Sequence, residues 1–154
     1  MRTDFPIAGG SGYTAVVLRP IGTALGIPKG RDSIYLAAIQ QAVCPREITF
    51  SGNIEGLIET ASVPFALRFH GLLELHAIEL DFSDAEHPTS LVEVMDSERV
   101  ATLKARDHSA KVKDHRHFIF ATYDEVFAVI CAGYELTLGE PVAHLLAEDD
   151  EDDI

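Results

Sequence analysis

His115 and His117 stand one residue apart in "DHRHFIF", a spacing that does chemistry if the segment is extended. On a β-strand, residues i and i+2 point to the same side, so the two imidazoles converge as a pair of ligands for a divalent metal. A metal needs at least one more donor. His108, in the preceding polar stretch, is the candidate third ligand, with Glu79 or Asp81 as alternatives.

Glu79 and Asp81 also share a face, with His76 three residues before Glu79. Two close carboxylates split their pKa values and can divide acid and base roles between them, although the solvated face of a strand carries the same pattern. Tyr123-Asp124 is a second proton-transfer candidate, set against the common use of a turn aspartate to bond its own backbone. The chain holds no GxSxG, CxxC, HExxH or GxGxxG arrangement. Cys44 and Cys131 read as reduced, structural thiols, Cys131 lying in the apolar run "VFAVICA". No cofactor is expected beyond the divalent metal that the histidine pair could hold.

The elements that must position these residues are read from periodicity and punctuation. "YTAVVLRP" reads as a first strand, and "IGTALGIPKGRD" as a glycine-rich loop. "DSIYLAAIQQAV", 32–43, predicts a helix: Asp32 or Ser33 can cap it, Leu36, Ile39 and Val43 fall at helical spacing, and Pro45 stands beyond the end. "REITFSGNIEGLIETA" reads as two short strands joined at Ser51-Gly52-Asn53. In 63–82 the apolar residues alternate, then change parity after Ala77, which predicts a bulge or strand boundary there and a bend or tight turn at Gly71. "SLVEVMD" is another strand, and Asp96 or Ser97 caps a short helix "ERVATLKARD". For 123–132 two readings stand: a helix opened by the Thr122 to Glu125 capping-box spacing, or the second arm of a β-hairpin turning at Asp124-Glu125. The β-branched content favours the hairpin.

The sum is one α+β domain over 1–147, a predominantly antiparallel sheet of about six to eight strands with about two short helices. A flexible lead, 1–12, precedes it and a disordered acidic tail, 148–154, follows. At 154 residues the chain is long enough to bury a self-sufficient core. Its apolar runs are far shorter than the roughly 20 residues that span a bilayer, and no secretion signal is visible, so a cytoplasmic location without membrane contact is expected.

The formal net charge is −13, and six consecutive acids, Glu148 to Asp153, supply part of it. Such a surface repels phosphate backbones, so no nucleic-acid partner is expected, and a protein partner, or self-association, is the expectation.

"SLVEVMDSERV" at 90–100 and "HFIFATYDEVFAVICAGYEL" at 117–136 resemble a loose group of small uncharacterised bacterial proteins, over about a third of the chain. The resemblance brings no catalytic assignment. Some similar small acidic proteins act as immunity or accessory proteins, which implies binding rather than catalysis. The expected function is therefore a binding or interaction protein, immunity-like, that engages a protein partner through an acidic surface. The alternatives are a small metal-dependent or acid/base enzyme using His115 and His117 with a carboxylate, and a homo-oligomeric scaffold with a ligand pocket between subunits.

Overall fold

The computed structural model describes residues 2–6, 13–79 and 87–144. Its strands are β1 (Arg2–Pro6), β2 (Tyr13–Pro20), β3 (Ile34–Val43), β4 (Arg46–Ile58), β5 (Ala61–His70), β6 (Glu74–Glu79), β7 (Leu91–Val94), β8 (Arg116–Ala121), β9 (Glu125–Cys131), β10 (Gly133–Leu138) and β11 (Val142–Ala143). One helix, α1 (Glu98–Arg106), lies between β7 and β8. All pairings are antiparallel. Six strands run in the order β1-β2-β7-β8-β9-β6, and a second sheet runs β10-β5-β4-β3 with β11 also on β5. The antiparallel expectation therefore holds, with more strands than expected and one helix among the described residues instead of about two. Within the segment expected as a flexible lead, residues 2–6 pair with β2; residues 7–12 and the acidic tail lie outside the described residues. No helix among the described residues is long and apolar enough to cross a membrane.

Alternation sets the core. Phe65, Leu67 and Phe69 on β5, with Ile48 and Phe50 on β4, face Phe118, Phe120, Phe127 and Val129 of the six-stranded sheet in one buried cluster. A smaller cluster, Leu18, Val92, Val94, Ile119 and Val126, lies on the opposite face of that sheet, so β7 and much of β8 are buried on both sides. Two packed sheets of alternating strands are the expected outcome of such patterning.

Along one side the sheets are continuous. The chain leaves β5 at Gly71 (φ +63°) and enters β6 in the other sheet, and beside it passes from β9 to β10 through Ala132. The Ala132 N–H donates to His70 O at 2.9 Å, and Leu73 N–H to Ile130 O at 2.8 Å. Gly71 is thus a bend, not a hairpin turn. Its lack of a side chain is required twice, by its φ and because a Cβ would stand 2.6 Å from the Ala132 Cβ. The strand boundary falls here, and β6 pairs with β9 in unbroken register through Ala77, so no bulge forms there.

The helix expected over 32–43 is strand β3, paired with β4 throughout. The register shifts between Leu36 and Ala38, and this bulge explains the misleading spacing. One inserted residue puts Leu36 and Ile39 on the same face at a separation of three, which imitates a helix, and Val43 then follows at four. The expected Ser51-Gly52-Asn53 turn is likewise the middle of one long strand, β4. Gly52 is the counterpart of the bulge: a Cβ there would lie 2.0 Å from the Tyr35 carbonyl oxygen. The 122–125 spacing closes a hairpin, as the β-branched residues favoured. Thr122 Oγ1–H donates to Glu125 O at 2.7 Å, and Glu125 N–H to Thr122 Oγ1 at 3.1 Å.

Gly52→Ala is expected to destabilise the protein by about 3 kcal/mol, because overpacking against backbone has no side chain to yield. Urea midpoints of the two proteins measure it, and a change within about 0.5 kcal/mol would refute the close approach.

Candidate functional site

β8 places Phe118 and Phe120 in the core, and therefore His117 and Ile119 on the outer face. Along that face Val94, His117, Ile130 and Glu74 stand in one cross-strand row. α1 lies over the row. Its cap, Ser97, accepts from Val100 N–H at 3.2 Å, and Ser97 Oγ is 2.7 Å from His117 Nδ1. One serine hydroxyl thus serves both the helix cap and the imidazole, joining the start of α1 to β8. Two residues on, the Arg99 guanidinium grips Glu74 in a bidentate pair, with Nε to Oε1 at 2.8 Å, and His76 Nε2 lies 3.5 Å from the same oxygen. Arg99 holds the Glu74 carboxyl below the usual range.

A pocket of 460 Å³ opens beside this contact, lined among others by Glu93, Ser97, Val100, His115, Arg116 and His117. Burial pushes the His117 imidazole down to about 4, a loss that the nearby Glu74 charge offsets only in part. A serine hydroxyl donating to an imidazole is half of a nucleophile and base pair. Here the hydroxyl also serves the helix cap, and an imidazole pushed down to about 4 by burial is a weak base. The contact's evident work is to fasten α1 to the sheet.

On the inner face of the same strands Glu93, 7% exposed, lies between Arg116 and Arg19. Arg116 also lies over the Phe118 and Tyr134 rings, at 5.0 and 5.7 Å. Hydrogen bonding from Arg116 keeps the Glu93 carboxyl ionised and low, which is what a buried carboxylate requires. Cys131, buried and donating to Gly133 O, has its thiol pushed up to about 12 and is inert.

The sequence candidates separate. His115 and His117 do line one pocket wall, but each Nδ1 is engaged, His115 by Lys113 N–H at 3.0 Å. His108 is exposed in the loop after α1 and does not line the pocket, and among the described residues no three His, Cys, Asp or Glu side chains gather to hold a metal. The described donors therefore do not fit a metal centre. Glu79 ends β6 opposite Glu125, and Asp81 lies outside the described residues. Tyr123 and Asp124 are exposed at the hairpin turn, where the Tyr123 ring stacks on Tyr35 at 5.0 Å and its N–H donates to Ile34 O at 2.8 Å. Sequence reasoning used Ser97 only as a cap and passed over Glu93, whose signal was a carboxylate on the same strand face as Leu91.

The remaining feature is an edge. β3 ends its sheet, and among the described residues no strand pairs with its outer side. It runs ten residues with no charge and no proline, and exposes Tyr35 (40%), Ile39 (46%) and Val43 (87%). Two other edges are defended: β6 begins and ends in glutamate, and β10 presents Glu135. Charges, prolines and short length are how edge strands avoid pairing, and β3 has only its bulge.

No protein-family model, curated protein or solved structure matches the chain.

Because His117 is neutral in the fold with its pKa depressed, the unfolded chain binds the extra proton between about pH 6.5 and 4. Stability is therefore lost as pH falls through that window, by about 3 kcal/mol at most. His117→Asn should remove that part of the pH dependence, measured as the difference from the parent protein in urea midpoints at pH 7, 5 and 4. Ser97→Ala should cost about 1 kcal/mol at pH 7. A Ser97→Ala variant of unchanged stability would show that the contact does not fasten α1.

Proposed function

We propose that this chain is a binding protein that engages a protein partner by strand addition along the open edge of β3, within an otherwise acidic surface. The edge carries the reading. An unpaired strand offers a row of backbone donors and acceptors that a second extended segment satisfies, and the exposed side chains Ile39 and Val43 supply apolar contact. The surplus of 25 acids over 12 bases disfavours nucleic acid as a partner and confines contact with any acidic protein to uncharged surface such as β3. The likeness of 90–100 and 117–136 to a loose group of small bacterial proteins, some of them immunity-like, agrees with binding as the role.

A second reading, an acid/base enzyme, rests on the Ser97 to His117 hydrogen bond beside the 460 Å³ pocket. It requires turnover that His117→Asn abolishes, with a pH inflexion near 4.

The binding reading is tested by cross-linking the tagged protein in cells and mapping the linked peptides. Links should fall on β3, and both Ile39→Pro and Val43→Lys should cut their yield at least tenfold, while Thr137→Lys on the far edge of the same sheet leaves it unchanged. Links that persist in both β3 variants would sink the proposal.

A further inference from the structure

Resting on that reading, we infer that the partner on β3 is a second copy of this chain, paired antiparallel about a two-fold axis through Gln41. Charge decides where two copies can meet. Each carries −13, so they can approach only where neither presents charge, and the sequence from Ser33 to Pro45 has none.

Register argues next. An axis perpendicular to the sheet keeps both inner faces on one side, so directly opposed residues must share a face. Beyond the bulge that face carries Ile39 and Gln41, set opposite Phe50 and Ile48 of β4, and then Val43. Centring the pairing on Gln41 opposes Ile39 to the partner's Val43 and Val43 to the partner's Ile39. Two exposed apolar side chains on each copy are thereby covered, with a pair of neutral amides between them. Centring it on Gln40 instead sets Ile39 against an amide, and centring it on Ile39 drives the pairing through the bulge at Leu36/Ala38. The Ile34 end is already held by the Tyr123 N–H and the Tyr35 ring stack, which leaves Ala38–Val43 as the pairing segment. The result is a continuous sheet across the dimer, closed by symmetry so that no further copy adds.

Sedimentation equilibrium of the purified full chain at micromolar concentration reads the dimer directly. Ile39→Lys and Val43→Glu should each yield monomer with unchanged circular dichroism. The double variant Ile39→Lys/Val43→Glu should recover the dimer, because each cation then faces an anion across the axis. In a Cys44→Ser background, Gln41→Cys should form an interchain disulfide on mild oxidation and Gln40→Cys should not, since only the former brings Cα atoms within about 4.5–5.5 Å of each other. A chain that is monomeric throughout the micromolar range, or a dimer indifferent to both single variants, overturns the inference. A monomer whose β3 variants nonetheless lose their cellular cross-links overturns the second copy as partner and leaves strand addition itself standing.

Discussion

Phe50 is the contact on which the two sheets depend. Fully buried on β4, its ring centroid lies 6.0 Å from Phe69 in its own sheet, and 5.2 and 4.7 Å from Phe120 and Phe127 across the interface. Tilted and edge-to-face aromatic pairs add about 0.5–1.5 kcal/mol each beyond the area they bury. Their geometric effect is larger. Because Phe50 must point inward, the faces of β4 are fixed, and β3 can pair with it on both sides of Gly52 only by taking the bulge. The β8–β9 hairpin is bound in the same way: with Phe120 and Phe127 committed to the core, His117 has to face outward, where α1 meets it.

The polar groups sit where that apolar interface ends. Arg116 covers the Phe118 and Tyr134 rings and turns its charge to Glu93, so the rim of the core closes on a salt-bridged carboxylate instead of on solvent. On the outer face, Ser97 and Arg99 each tether α1, one to His117 and the other to Glu74. The helix buries no residue fully, so these polar tethers decide where it lies.

What was legible in the sequence is what local rules determine. The alternation of Phe65, Leu67 and Phe69 placed β5 on the core, Asp96 or Ser97 marked the start of α1, and the β-branched residues after Thr122 favoured a hairpin over a helix. β3 was illegible because a single inserted residue changed its period, while alanine and glutamine, good helix formers, fill the positions that packing does not decide. Gly52 looked like a turn for the same reason, since its need arises from a neighbouring strand remote in sequence. Of the candidate site, the convergence of His115 and His117 on one wall was readable from their spacing. The Ser97 partner of His117 was not, because a contact between residues twenty apart in sequence is a tertiary fact.

The corner at Gly71 and Ala132 gives the molecule the mechanics of a bound book. Along that spine the β5–β6 and β9–β10 ribbons carry main-chain hydrogen bonds from one sheet into the other, so the sheets cannot slide past each other there without breaking backbone bonds. At the opposite margin, where β3 lies, the Tyr123 to Ile34 hydrogen bond joins the covers near one end of the strand. The sheets are thus bound by backbone along the spine and, at the fore-edge, by side-chain packing and that main-chain bond.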